Sequence, residues 1–266
     1  MSNSPLIDGV LLTNNCSAPR NHSVDTITPH YMAWFTTAKA CCESFVPKSR
    51  KASANYCIGK DGEIWLNVEE KNRAWTSGNS SNDNRAITIE CANYTDSQRR
   101  GMLPDATWNS LVNLCVDICK RYGKKRLVYK GSANRDGLLS TDMLLTMHKW
   151  FQDTDCPGPW LSKMFGVLAT EVTNKLSGVT PTPTYAGTYR VNVDVLNVRD
   201  KPSVKDGGII AHYTRGALVE LENYRYVCDG FVWGRYLGQT SKQYRYVAIG
   251  PYTGKPEATD YLIKVS

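Results

Sequence analysis

Two of the four histidines in this 266-residue chain stand in patterns that could bind a metal ion. His148 precedes Cys156 by eight residues, and His30 lies in a strand-like segment much earlier in the chain. Two imidazoles and one thiolate are ligands that zinc prefers, and three protein ligands leave a fourth position for water. Such a set is typical of catalytic rather than structural zinc sites. The alternative interpretation is that these three residues are unrelated and lie separately on the surface or in the core.

Glu90 is the candidate base for such a site, because a water activated by a metal must pass its proton to a neighbouring group. It stands in the apolar segment 86–91, where a carboxylate is costly to bury without a function. A solvent-facing residue at a strand end remains the other interpretation. Cys115 and Cys119 could also ligate a metal, but packing of free thiols in a helix-covered core is favoured.

The elements that must position these residues alternate between strand-like and helix-like patterns over residues 1–176. This alternation predicts an α/β domain with a mixed central β-sheet flanked by helices. Amphipathic helices are predicted over 105–122, with Asp105 or Thr107 as N-cap and Gly123 at the end, and over 160–176. Strands are predicted at 9–13, 26–31, 56–58, 63–68, 86–91 and 126–129.

A second domain is predicted beyond a linker at residues 177–187, which is rich in Pro, Thr and Gly and lacks an apolar period. Six of the seven tryptophans precede this linker, so the composition changes across it. Residues 188–266 contain short strand-like runs separated by turn residues, which predicts a small all-β barrel. These runs are 189–193, 196–199, 209–213, 218–221 and 231–235.

Composition excludes several classes of protein. No window approaches the ~18 consecutive apolar residues of a membrane span. The first residues lack the basic start and apolar run of a signal peptide, so we expect a cytoplasmic protein unless it is released. The nine cysteines are expected to be free thiols. The net charge of +7 is dispersed, and no basic-aromatic motif points to nucleic acid.

Five motifs follow one another in the first domain: ITPHYMA at 27–33, ASANYCIGKDG at 52–62, VEEKNRAWTS at 68–77, NDNRAITIECAN at 82–93 and LLTMHKWFQDTDCPGP at 144–159. Their order and spacing resemble the type-2 N-acetylmuramoyl-L-alanine amidase family. Among its members, the chain is most similar to endolysins of phages that infect Gram-positive, Clostridium-like bacteria. The resemblance covers roughly residues 5–175.

The resemblance implies a zinc-dependent hydrolase that cuts peptidoglycan between N-acetylmuramic acid and L-alanine of the stem peptide. His30, His148 and Cys156 would bind Zn²⁺, which would polarise the scissile carbonyl and activate water. Glu90 would take the proton from that water and deliver it to the leaving amine. Thr154 stands where some relatives carry a lysine that aids the oxyanion, and its hydroxyl could donate a neutral hydrogen bond.

Further residues near these motifs are candidates for contacts with substrate. Trp75, Thr76, Asn79 and Trp150 are predicted to line a groove, because sugars stack on exposed aromatic faces and offer many hydrogen bonds. Core packing explains both tryptophans equally well.

The roles of two other residues stay open. Some relatives carry a tyrosine ahead of the hairpin strand as a second partner of the zinc site, but Ala54 occupies the aligned position here. Whether Tyr56, two residues further on, takes part at the zinc site instead stays open. His22 is either a substitute metal ligand or, as we favour, a solvated loop residue that follows Arg20 and Asn21.

The second domain contains VLNVRDKPS at 195–203, YTRGALVE at 213–220, GFVWGR at 230–235 and a closing Tyr261-Leu262. These elements resemble bacterial SH3-type cell-wall-binding modules, which implies that the domain anchors the protein to peptidoglycan. Tyr244, Tyr246 and Tyr252 either enlarge a binding face or reflect ordinary strand propensity.

The leading prediction is thus a phage endolysin that accumulates in the host cytoplasm and reaches the wall after release. Tethering by the second domain would raise the effective concentration of substrate at the active site. A non-catalytic peptidoglycan-recognition protein on the same fold is the alternative, and the presence of Cys156 and Glu90 argues against it. A prophage-encoded copy or a leaderless bacterial autolysin also stays open, and the oligomeric state is not predicted.

Overall fold

The chain divides into two units, one within residues 1–180 and the other within residues 181–266. The computed structural model describes residues 3–97, 99–178, 185–252 and 260–265. The middle of the predicted linker, residues 179–184, lies outside the described residues. All nine cysteines lie within them and are free thiols, as expected. No helix in the described ranges has the length and apolar composition of a membrane span.

A seven-stranded mixed sheet forms the centre of the first unit. The described residues of this unit form nine strands, seven of them in the central sheet: β1 (Gly9–Val10), β2 (Cys16–Ser17), β3 (Thr26–Tyr31), β4 (Tyr56–Ile58), β5 (Ile64–Leu66), β6 (Arg73–Ala74), β7 (Ala86–Cys91), β8 (Arg126–Val128) and β9 (Asp142–Leu145). The sheet order is β1-β5-β4-β7-β3-β9-β8, in which β4 and β5 run antiparallel and the other neighbours run parallel. Strands β2 and β6 pair separately as an antiparallel ribbon.

Helices cover the sheet, which confirms the predicted α/β architecture with a mixed central sheet. The four helices are α1 (Ala38–Ser44), α2 (Ser80–Arg85), α3 (Asp105–Arg121) and α4 (Pro159–Leu176), and two 3₁₀ turns span Lys48–Arg50 and His148–Trp150. Helices α3 and α4 bury their apolar stripes, Leu111 and Ile118 among them, in one core with the sheet. Helix α1 packs in a smaller apolar cluster with Ala54 and Cys57.

Side-chain alternation along the central strands separates an apolar face from a polar one. In β7, Ile87 and Ile89 enter the core that α3 and α4 cover, so Thr88 and Glu90 point to the opposite face. Strand β3 pairs in parallel with β7, and His30 stands opposite Glu90 in the register. The two side chains therefore emerge on the same face of the sheet.

Helix α3 starts at the predicted residue, but its predicted N-cap is wrong. It begins at Asp105 after Pro104, and neither Asp105 nor Thr107 caps it. The hydroxyl of Thr107 instead donates to the Gly59 carbonyl oxygen at 2.7 Å, because the residue is fully buried against the preceding hairpin. The predicted end is confirmed, since Gly123 follows the last turn with a φ of +66°.

In the first unit, the sequence patterns did not indicate several short elements and predicted some strands to be longer than they are. Strands β3, β4 and β7 match their predicted bounds, whereas β1, β5 and β8 are shorter than predicted. Helices α1 and α2 and strands β2, β6 and β9 were not predicted. Each of these has at most seven residues, which is too short for a hydrophobic period to become visible.

The described part of the second unit contains β-strands and no helix. Its strands are β10 (Gly187–Val191), β11 (Val195–Arg199), β12 (Ile209–Thr214), β13 (Leu218–Leu221), β14 (Tyr226–Cys228), β15 (Phe231–Leu237), β16 (Tyr244–Pro251) and β17 (Leu262–Lys264). They form a three-stranded sheet, β13-β10-β17, and a five-stranded sheet, β12-β11-β16-β15-β14. Both sheets contribute to one apolar core that includes Val191, Val219 and Val247. The resemblance to an SH3-type module stays a prediction.

A buried carboxylate ties helix α3 to the loop after β5. Glu70 is 1% exposed and accepts hydrogen bonds from both Nη atoms of Arg121, at 2.7 and 2.6 Å. The hydroxyl groups of Tyr122 and Tyr56 donate to the same carboxylate at 2.8 and 2.5 Å. Removing one member of such a network leaves the other groups buried without their partner.

We therefore expect Glu70→Ala to lower the free energy of unfolding of the first unit by about 3–5 kcal/mol. The neighbouring Glu69→Ala should cost no more than about 1 kcal/mol, because Glu69 pairs with Lys71 at the solvent-exposed surface. Urea denaturation of both variants measures the difference. Equal losses from the two substitutions would contradict the role given to the buried carboxylate.

Candidate active site

His30, His148 and Cys156 come together on the polar face of the sheet. Each offers one ligand atom, and these three atoms lie within 4.8 Å of one another. His30 is the fifth residue of β3, His148 opens the 3₁₀ turn after β9, and Cys156 precedes α4. The site thus assembles side chains from the ends of two neighbouring strands and from the loop before a helix.

The loop that carries Cys156 is shaped by its neighbours. Gly158 has a φ of +86°, and a Cβ there would lie 2.8 Å from the ring of Tyr31, so a side chain at this position would clash. The backbone N–H of Cys156 donates to the hydroxyl of Thr154 at 3.2 Å. Helix α4 begins directly after this turn at Pro159, a favoured first position.

The donor set and its surroundings fit a zinc ion. Nδ1 of His30 lies 3.2 Å from the sulfur of Cys156, while Nε2 is buried and has no hydrogen-bond partner among the described residues. A nitrogen and a sulfur bound at about 2.0 and 2.3 Å to one tetrahedral ion would lie about 3.5 Å apart. The observed separation is therefore compatible with one ion shared by Nδ1 of His30 and the sulfur of Cys156.

Burial controls the protonation of these ligands. It lowers the pKa of His30 well below its ordinary value, with a smaller contribution from the nearby His148, so this imidazole is neutral. Burial, aided by the negative charge of Glu90, raises the pKa of the Cys156 thiol. Because a metal binds the thiolate, metal binding at this site would release a proton.

Glu90 lies beside this cluster on the wall of a cavity of about 610 Å³. Burial raises the pKa of its carboxyl group to about 8, and the positive charge of Arg50 opposes that shift. His148 lines the same cavity. The cavity therefore joins one candidate metal ligand and an unusual carboxylate in a single space that a substrate could enter.

Three of the four predicted substrate contacts lie on the wall of this cavity, namely Trp75, Thr76 and Asn79. Their segment is held from below by Asp83, whose carboxylate accepts hydrogen bonds from two backbone N–H groups and from the Ser77 hydroxyl. The side chain of Asn79 accepts the N–H of residue 82 and so caps α2.

A protein-family model for N-acetylmuramoyl-L-alanine amidases (Amidase_2) matches residues 20–159, which is more than half of the chain. The chain belongs to this amidase family. The match contains His30, Glu90, His148 and Cys156, and it ends at the first residue of α4.

Among the solved structures that are similar to this chain, three are matched over most of their own length. They are PlyL (14% identity, 61% of this chain, 94% of that chain, TM-score 0.45), the catalytic domain of XlyA (17%, 61%, 98%, 0.41) and the endolysin N-acetylmuramoyl-L-alanine amidase LysCS from Clostridium intestinale URNW (17%, 60%, 96%, 0.39). Such values transfer no property from those proteins to this amidase chain. A search of curated proteins found no significant match.

Other candidates from the sequence lie away from the cavity. Trp150 is not among the described residues that line it, and its ring stacks on Tyr129 against the first core. Tyr56 is fully buried and its hydroxyl donates to Glu70. His22 is exposed and contacts Arg85 at 2.8 Å, apart from the metal cluster, as the favoured loop interpretation expected.

The two cysteines of helix α3 also lie away from the cavity. Cys115 and Cys119 are fully buried in the core between α3 and the sheet, as the favoured interpretation of the sequence expected. Burial raises the pKa of both thiols, so each remains protonated and apolar in character.

Sequence reasoning missed other residues of the cavity wall. Gln152 lies there and contacts Nε2 of His148 at 2.9 Å, which orients that imidazole. Arg50, Lys51 and Arg73 also lie on the wall. The basic run at 48–51 was visible in the sequence, but nothing in it showed which surface the run would face.

We expect the purified chain to bind about one zinc ion, and Cys156→Ser to weaken that binding. The loss should exceed the roughly 10–100-fold that changes around metal ligands cost, because a ligand itself is replaced. Competition with a chromophoric chelator measures the affinity. Cys228→Ser, in the second unit, is the matched control and should bind zinc like the unaltered chain; equal affinities for the two variants would contradict the ligand assignment.

Proposed function

We propose that this chain is a zinc-dependent N-acetylmuramoyl-L-alanine amidase that hydrolyses the amide between N-acetylmuramic acid and L-alanine in peptidoglycan. Family membership supports the class of reaction. The observation that carries the finer proposal is the convergence of His30, His148 and Cys156, with His148 lining the same cavity as Glu90. A neutral imidazole pair with a thiolate is a ligand set for catalytic zinc.

The protonation of His30 and the contacts that orient His148 and Cys156 suit these residues to binding zinc. Zinc, when bound, is a Lewis acid that polarises the scissile carbonyl and lowers the pKa of water. His30 is already neutral and requires no proton loss to coordinate. Gln152 holds His148 in one orientation through Nε2, and the Thr154 hydroxyl anchors the backbone of Cys156. These contacts hold the ligands in place before substrate arrives.

Glu90 is proposed to move the proton of the reaction. It stands opposite His30 on a neighbouring parallel strand, at a spacing of about 4.8 Å between strands. From there its carboxylate takes a proton from the attacking water and delivers it to the amine of the leaving L-alanine. No covalent bond between enzyme and substrate forms, because water is the nucleophile.

Thr154 is proposed to stabilise the developing oxyanion. Its oxygen accepts the N–H of Cys156, and the hydroxyl keeps its own hydrogen for donation. A neutral donor contributes less than a charged lysine would at the same position. Trp75, Thr76 and Asn79 are proposed to hold the substrate along the cavity wall.

The predicted second domain, residues 188–266, is proposed to bind the cell wall as an SH3-type module, and the whole chain to act as a phage endolysin against a Gram-positive host. A wall-binding unit would raise the local concentration of substrate without new contacts in the active site. Co-sedimentation of the Glu90→Gln variant with purified walls, with and without residues 185–266, tests this role. Equal retention of both forms would contradict it.

Digestion of purified Gram-positive walls tests the proposed reaction. We expect mass spectrometry to find free stem peptides that begin with L-alanine, together with peptide-free glycan strands. Glu90→Gln should lower the rate by about 10²–10⁴-fold while zinc stays bound, because only proton transfer is removed. The control Glu43→Gln changes an exposed glutamate of α1 and should leave the rate unchanged.

The other outcomes separate the alternatives. Release of the same fragments after complete removal of zinc would refute the metal requirement. Intact walls that retain the protein would instead support a non-catalytic peptidoglycan-recognition protein.

A further inference from the structure

Three basic side chains line the active-site cavity. Arg50, Lys51 and Arg73 all line it, together with Glu90 and His148. None of the three has a carboxylate within 4.0 Å among the described residues. Like charges that gather without counterions repel one another, and a cavity focuses their field on whatever enters it.

Arg73 is held in a defined position by the β2–β6 ribbon. Its Nη2 donates to the hydroxyl of Ser17, which stands opposite it in the ribbon, at 2.6 Å. The indole N–H of Trp75 donates to the same oxygen at 2.9 Å. The guanidinium is therefore fixed beside the aromatic wall of the cavity, and its remaining N–H groups have no acceptor in the described ranges.

Arg50 is held in place by a different segment. The loop after α1 is anchored by Thr13 and Asn15, whose side chains donate to the carbonyl oxygen of Phe45 at 2.6 and 2.8 Å. Asn15 also donates to the Pro47 carbonyl oxygen at 2.9 Å. The guanidinium of Arg50 then lies 5.7 Å from the centre of the Phe45 ring.

Among the described residues the acidic groups of the cavity form no ion pair with these cations, and the charge of Arg50 only lessens the rise in the pKa of Glu90. Asp83 accepts the N–H groups of Thr76 and Ser77 and the hydroxyl of Ser77. Glu90 stands beside the metal cluster, where the proposed reaction uses it. The three basic side chains therefore remain available to an anionic ligand, and planar guanidinium groups bind carboxylates in a bidentate manner.

We propose that Arg73 and Arg50 bind a free carboxylate of the stem peptide, with Lys51 adding attraction from the rim. The enzyme then selects stem peptides whose second residue keeps its α-carboxylate over peptides in which this group is an amide. This inference rests on the proposed function, because it concerns the substrate of that reaction.

Two soluble muropeptides that differ in this one group provide the test. They are N-acetylmuramoyl-L-alanyl-D-isoglutamate and N-acetylmuramoyl-L-alanyl-D-isoglutamine. We expect a KM about tenfold lower for the carboxylate form with a similar kcat, since hydrogen bonds between charged groups contribute about one such factor. Calorimetric titration of the full-length Glu90→Gln variant with both compounds should give the same ratio of dissociation constants.

Variants of the basic residues assign the preference. Arg73→Gln should raise the KM of the carboxylate form towards that of the amide form, and Arg50→Gln should reduce the ratio in part. Arg73→Lys keeps the positive charge and should retain part of the preference. Arg99→Gln removes an exposed arginine outside the cavity and should keep the full ratio. Thermal unfolding of each variant verifies that it is folded.

The outcomes separate this inference from the proposed function. Hydrolysis of both muropeptides with equal KM, or an unchanged ratio in folded Arg73→Gln and Arg50→Gln, would overturn the inference and leave the amidase assignment intact. Tenfold tighter binding of the carboxylate form without any hydrolysis would support the inference and refute the proposed reaction.

Discussion

The parallel pairing of β3 with β7 is the constraint on which the rest of the site depends. It sets His30 opposite Glu90, so that the candidate metal ligand and the candidate base emerge from neighbouring strands on one face. Alternation sends Ile87 and Ile89 to the other face, where α3 and α4 bury them. A shift of one residue in either strand would exchange these faces and dismantle both the core and the site.

The polar face needs its own support, because buried hydroxyl and amide groups are costly when unpaired. Thr28 and Thr146 share a hydrogen bond of 2.7 Å, and Asn82 bonds to both of them at 3.1 and 3.0 Å. Thr76 and Thr88 are joined in the same way at 2.8 Å. This network connects the strands to the segment that bears Trp75, so the cavity wall and the sheet form one stiff polar layer.

The candidate base and the basic side chains of the cavity are carried by different parts of the fold. Glu90 and His30 stand on the sheet itself, whereas the basic groups come from a ribbon and from a segment after α1, both outside it. The candidate base and one candidate ligand are thereby held by the sheet, and the basic residues proposed to bind the peptide lie on segments that can vary without disturbing the strands.

The sequence by itself determined the α/β architecture and the bounds of β3, β4 and β7, and its linked motifs indicated the candidate ligands. These features can be predicted from short segments, because the alternation of apolar and polar residues in strands and the periodicity of helices are properties of consecutive residues. Only the tertiary structure decided that Trp75 lines the cavity whereas Trp150 packs on Tyr129, since both are tryptophans beside a motif.

Only the tertiary structure, likewise, brought Arg50 and Arg73 to the same cavity wall. Their convergence depends on where a short ribbon and an irregular loop close against the sheet. Such contacts join residues far apart in the chain, so no hydrophobic periodicity in the sequence indicates them.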